Sequence, residues 1–233
     1  MPKMVPMKKI ITLVFLLTSL FLQAKDFEPK DTWAYLYEDF TDGMVMTRKG
    51  EVLMQARLNV SVVDGKLHFL KDGKIMEADM LQVLTAQIGK DEFMNVSGKM
   101  LRILSKSEAA AVLESIEVDM DKLSKAEIGY GITSGTASTQ NLNMAALSGI
   151  VEYQSNMSYS LASERKGSGE RIPIRHITYL FTKGTLVVAK KREVVRIPTL
   201  DKKAAEAFFK EQGIKWNKVE DLQKVADYIA QNA

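Results

Sequence analysis

The chain has 233 residues, a formal net charge of +3, 46% hydrophobic residues and no cysteine. Disulfides, thiolate nucleophiles and cysteine-ligated metals are therefore excluded. The first 24 residues hold three lysines and no acid, so the remainder carries 29 basic and 29 acidic residues, and the net charge offers no argument for a nucleic-acid partner.

The N-terminus carries Lys3, Lys8 and Lys9, followed by an uncharged run from Ile10 to Leu22. As a helix that run rises about 20 Å, short of the roughly 30 Å hydrocarbon core of a bilayer. The basic start, short apolar middle and small Ala24 read as a cleavable export signal over residues 1–24, with an uncleaved anchor as the alternative. No cysteine follows to take a lipid, and no later segment approaches 18 apolar residues, so no further span is expected after cleavage.

Residues 25–128 read as a β-rich part. Trp33, Tyr35 and Tyr37 have strand periodicity within Thr32 to Phe40. Short extended segments follow at Met44 to Thr47 and Val52 to Val62. Asp64-Gly65 and Asp72-Gly73 are hairpin signals, the second leading into Ile75 to Ala78. Met80 to Ile88 suits a strand or a helix equally. Turns at Lys90-Asp91 and Ser97-Gly98 introduce strands over Glu92 to Val96 and Met100 to Leu104. In Ser105 to Lys125, Glu108 to Glu114 has helical composition, while Ser115 to Met120 alternates like a strand, so either the sheet continues here or a short helix precedes a strand.

Residues 129–171 read as an insertion rich in Gly, Ser and Thr. Gly129 to Asn143 and Glu164 to Glu170 are its least cohesive stretches, with a strand possible over Ile150 to Leu161. Residues 172–199 resume the sheet with Ile172 to Phe181, a Lys183-Gly184 turn, Leu186 to Ala189, and Val194 to Ile197. Pro173 and Pro198 suit edges or strand starts.

The period then switches to helical over residues 200–233. Lys202 to Gln212 precedes Gly213 as a C-terminal stop. Asn217 with Glu220 three residues on reads as a capping box for Val219 to Ala230, whose Leu222, Val225, Ala226 and Ile229 form one stripe. These are the features of a two-helix hairpin packed around Trp216. The fold class expected is mainly β: a meander, partly open barrel or rolled antiparallel sheet with a C-terminal helical hairpin.

Chemistry is sparsely marked. His68 and His176 are the two histidines; each lies in an apolar strand context and reads as a buried or half-buried structural residue. No close ligand spacing points to zinc, although a carboxylate site stays open. No Gly-x-Ser-x-Gly elbow and no complete phosphate loop occur. No catalytic, cofactor-binding or metal residue is singled out, and no cofactor is expected. The acids of Asp26 to Asp42 and the bases of Arg165 to Arg196 read as solvated surface or as a docking patch. The aromatics at 33, 35, 37, 69, 179, 181 and 216 read as core, with a ligand cradle as the alternative.

Two blocks near the start, Tyr35-Leu-Tyr-Glu-Asp-Phe-Thr-Asp-Gly-Met-Val-Met-Thr-Arg-Lys-Gly-Glu and Ala56-Arg-Leu-Asn-Val-Ser-Val-Val-Asp-Gly-Lys-Leu-His-Phe-Leu, resemble a group of uncharacterised exported Bacteroidetes proteins. So do Ala207-Phe-Phe-Lys-Glu, Trp216-Asn-Lys-Val-Glu-Asp-Leu and Asp227-Tyr-Ile near the end. The resemblance implies a short β domain with a charged helical end, in the periplasm or at the outer-membrane periphery of a Gram-negative cell. It supplies no catalytic residues. The expectation is a noncatalytic envelope protein that binds or scaffolds another envelope component, an envelope protein being the possible partner. The alternatives are a carrier of small apolar ligands and an envelope glycan or peptide hydrolase.

Overall fold

Three tight turns set the strand register. At Asp72-Gly73, Ser97-Gly98 and Lys183-Gly184 both central residues have positive φ, between 47° and 84°. That is the type I′ geometry whose twist matches antiparallel strands. A computed structural model describes residues 35–119 and 174–233. The export signal over 1–24, the insertion with its strand over Ile150 to Leu161, and Pro173 lie outside the described residues.

Among the described residues, ten strands form one antiparallel sheet: β1 (Thr41–Thr47), β2 (Val52–Val60), β3 (Leu67–Lys71), β4 (Lys74–Glu77), β5 (Val83–Ile88), β6 (Asp91–Val96), β7 (Lys99–Lys106), β8 (Ala110–Val118), β9 (Ile174–Thr182) and β10 (Thr185–Val188). Their order is β10-β9-β8-β7-β6-β5-β1-β2-β3-β4. Two meanders, β1–β4 and β5–β10, are thus joined along β1 and β5. At that join Gly43 faces Ala56 on one side and Ile88 on the other. A Cβ there would stand 2.4 Å from the Gln87 carbonyl oxygen, so only glycine lets the strands approach.

The sheet rolls without closing. The β2–β3 connection folds back so that Met100 N donates to Gly65 O at 2.8 Å and Val118 N to Val62 O at 3.1 Å. Inside the roll a first core packs Val45, Leu58, Leu67, Val83, Ile88, Phe93, Ile116 and Val118.

A second core lies where the helices cover the other end of the sheet. These are α1 (Lys191–Val194), α2 (Lys202–Glu211) and α3 (Val219–Asn232). The stripe Leu222, Val225, Ala226 and Ile229 of α3 buries with Ala205 and Phe209 of α2 against Ala110, Val112 and Leu180 of the sheet. Asp201 caps α2, accepting from Ala204 N at 3.0 Å, and Gly213 follows its end with φ 59°. The Trp216 ring meets Phe209 edge-on, centroids 5.2 Å apart. Among the described residues no helix is long and apolar enough to cross a membrane.

Several elements differ from the sequence reading. Thr32 to Phe40 is not a strand in its described part: Tyr35 makes a single bridge to Ser61 and residues 36–39 bend. Asn59 holds this segment with its side chain, accepting from Tyr37 N and donating to Tyr37 O. The hairpin at Asp64-Gly65 has a longer connection than a two-residue turn, because β2 stops at Val60 and β3 starts at Leu67. Met80 to Ile88 resolves as a loop and then strand β5. Glu108 to Glu114 enters strand β8 despite its composition, because that strand is covered on both faces. Val194 to Ile197 is not a strand: Val194 ends α1 and is buried in the helical core. The first cap of α3 is Lys218 rather than Asn217, and no side-chain cap bond forms there. Instead Asp221 accepts from Lys215 N at 3.2 Å, tying the helix start to the preceding loop.

Candidate functional site

The central strands run from one core to the other, and a polar group marks the crossing. On β8, Ile116 and Val118 enter the first core while Ala110 and Val112 enter the second; Glu114 lies between. On β7, Met100 and Leu104 divide in the same way, with Arg102 between them. On β9, Ile174 and Leu180 do so, with His176 and Thr178 between.

At this seam Arg102 donates to Glu114 Oε2, with Nε at 3.1 Å, and His176 Nδ1 lies 3.0 Å from Glu114 Oε1. The seam therefore occupies both oxygens of the carboxylate, which is not poised as a general base. His176 itself is exposed, contrary to the buried or half-buried position read from its apolar neighbours, because it stands in the gap between the cores. Beside the seam, Leu36, Val60, Phe93, Met100, Arg102, Glu114 and Ile116 line a cavity of about 10 Å³. That is room for one water at most. The Tyr37 ring meets the lining residue Phe93 edge-on, and its hydroxyl donates to Asp91 Oδ2 at 2.7 Å. Burial first, then this bond, holds the phenol protonated far above its ordinary range.

The second histidine sits in a different setting. His68 on β3 is 2% exposed and lies opposite Asn59 of β2 and Glu77 of β4. Its Nδ1 is 2.7 Å from the Tyr35 hydroxyl, and its ring meets that of Tyr35 edge-on. Its Nε2 is buried and has no hydrogen-bond partner among the described residues. The nearest carboxylate oxygen in ion-pair range is Glu77 Oε2 at 3.9 Å, beyond hydrogen-bonding distance. Asp64, in the β2–β3 connection, brings a second carboxylate, and one ligand atom each from Asp64, His68 and Glu77 lies within 4.8 Å of the others. Lys66 Nζ holds the other Glu77 oxygen at 2.8 Å. Burial lowers the His68 pKa below its ordinary value and outweighs the opposing pull of Asp64 and Glu77. The imidazole is therefore neutral at pH 7.

No ligand spacing in the sequence singled out this cluster, but part of it has a local cause. His68 and Glu77 are equidistant from the two-residue turn Asp72-Gly73, so a type I′ hairpin must place them opposite each other. Asp64 joins only through the curl of the β2–β3 connection, where its Oδ1 accepts from Lys66 N at 3.1 Å.

The aromatics divide by position. Tyr35 is buried against Phe40 and His68, while Tyr37 and Phe69 pack on the first core. Tyr179 and Phe181 join Leu101, Ala111 and Leu113 in a third apolar cluster, with Met94, Val96, Ile103 and Leu186 around it. Trp216 belongs to the helical core, and Trp33 lies outside the described residues. Compared with family models, with curated proteins and with solved structures, the chain matches none.

Proposed function

We propose that this is a noncatalytic, exported envelope protein that binds or scaffolds another envelope protein through the apolar cluster of β6–β10. The observation that carries the reading is this separate cluster: Met94, Val96, Ile103, Tyr179, Phe181 and Leu186 are only partly buried around the Leu101, Ala111 and Leu113 centre. Apolar side chains left partly exposed in this way offer contact area to a protein partner. The exported, envelope setting rests on the N-terminal pattern and on the resemblance described above. The cavity of about 10 Å³ beside the seam is far below the several hundred Å³ of a small-molecule site, which weighs against a carrier reading there. A hydrolase reading draws on His68 and His176 each standing beside a carboxylate, but the seam's carboxylate is occupied on both oxygens.

The test is photo-crosslinking in intact cells that export the full chain. A photoreactive residue replaces Phe181 or Leu186, with Lys210 on α2 as the control position. The expected result is one envelope protein captured reproducibly from the first two positions and not from the third. Capture no greater than that of an unrelated exported protein overturns the reading.

A further inference from the structure

We propose that Asp64, His68 and Glu77 form a site for a divalent first-row transition cation. His68 Nε2 and one oxygen from each carboxylate are the ligands.

Three observations converge on this cluster. The first is the bare nitrogen: Nε2 of a residue that is 2% exposed has no hydrogen-bond partner among the described residues. Buried polar atoms are seldom left unpaired. The second is the anchored ring: His68 Nδ1 lies 2.7 Å from the Tyr35 hydroxyl, and Nε2 stands 3.9 Å from Glu77 Oε2. Metal-ligating histidines characteristically anchor the other ring nitrogen in this way. The third is charge. Two carboxylates converge on the imidazole, and Lys66 Nζ is the compensating cation on Glu77. The Lys66 side chain is 39% exposed, so it can swing into water when a stronger cation arrives.

The donor set selects the ligand class. One imidazole nitrogen and two carboxylate oxygens suit zinc and its first-row neighbours, whereas calcium and magnesium prefer all-oxygen shells. Ligand atoms up to 4.8 Å apart must draw together to reach metal bonds of about 2.0–2.2 Å. Glu77 has the freedom to do so, since its side chain is 40% exposed at the edge strand. Water completes the coordination.

The test is titration of the full chain with zinc, followed by calorimetry and by histidine nitrogen NMR. The expected result is one zinc per chain at micromolar affinity, with the shift confined to His68. Glu77→Gln, at an exposed position, weakens binding at least tenfold without unfolding the protein. Lys66→Ala tightens it several-fold by removing the competing ammonium. His68→Asn abolishes it, with circular dichroism reporting whether that variant folds. No zinc uptake overturns the proposal. So does uptake that Glu77→Gln and Lys66→Ala leave unchanged, or a shift that appears on His176 instead.

Discussion

Arg102 and Glu114 stand directly opposite each other on β7 and β8, and their ion pair occupies the line where the two cores meet. Both side chains are largely shielded, at 19% and 12% exposure, and His176 closes the remaining carboxylate oxygen from the solvent side. Replacing Glu114 with Leu leaves the guanidinium without its carboxylate in a mostly apolar setting. Removing one partner of a buried pair costs 3–5 kcal/mol, and residual exposure brings the expected loss here to about 2 kcal/mol. The double variant Arg102→Met/Glu114→Leu recovers most of it, because no charge is then stranded. Urea denaturation of the two single variants and the double variant, read as a thermodynamic cycle, checks this.

Gly43 is a point of close approach in the sheet. A methyl group there meets the Gln87 carbonyl oxygen at 2.4 Å and Leu58 Cδ1 at 2.7 Å. The first of these contacts is backbone and cannot rotate away. Gly43→Ala therefore forces β1 and β5 apart at the pairing that joins the two meanders. Overpacking typically costs 1–3 kcal/mol, and a backbone clash places this variant at about 3 kcal/mol or above. Thermal denaturation gives the loss. Hydrogen exchange locates it, with faster exchange expected first at the amides of β1 and β5.

How much of this architecture was legible follows from the range over which each signal acts. Asp72-Gly73, Ser97-Gly98 and Lys183-Gly184 announce their hairpins because the turn needs residues that tolerate positive φ. The stripe of α3 is legible because one face alone is buried. In the sequence, residues 108–114 stay open between sheet and helix because Ala110 and Val112 pack under the helices while Ala111 and Leu113 fill the opposite face. Two-sided burial erases the alternation that marks a strand. Nothing local places β1 beside β5, a pairing made across three intervening strands. The same divide runs through the candidate metal site: the His68–Glu77 pair follows from its turn, while Asp64 arrives by tertiary folding.

The Ser97-Gly98 turn offers a gain in stability. Ser97 is exposed with φ 54°, a conformation that asparagine adopts more readily than serine. Ser97→Asn produces the preferred Asn-Gly pair and leaves the bond from Gly98 N to Asn95 Oδ1 in place. The expected gain is about 0.5 kcal/mol, visible as a small rise in melting temperature. Gly98→Ala is expected to lose at least as much, since φ is 84° there.

His68 makes stability depend on pH in a direction its burial dictates. The groups that face it are Tyr35, Asp64, Lys66 and Glu77. Burial holds the imidazole's pKa below its ordinary 6.5, and Lys66 acts in the same direction; the carboxylates of Asp64 and Glu77 oppose them without prevailing. The unfolded chain thus takes up a proton near 6.5 while the folded chain resists it. In that window the unfolded state binds more protons, so stability falls as pH is lowered from 6.5 toward the folded-state value and is fully present above it. Each unit separating the two values corresponds to about 1.4 kcal/mol. Denaturation midpoints measured from about pH 7.5 down to about pH 5.5 should fall for the native chain, while carboxylate titration stays mostly below that range. His68→Gln removes the titrating group, and its curve should be flatter by the His68 contribution. Equal slopes for the two proteins would show that His68 accepts a proton as readily when folded as when unfolded, against the burial that surrounds it.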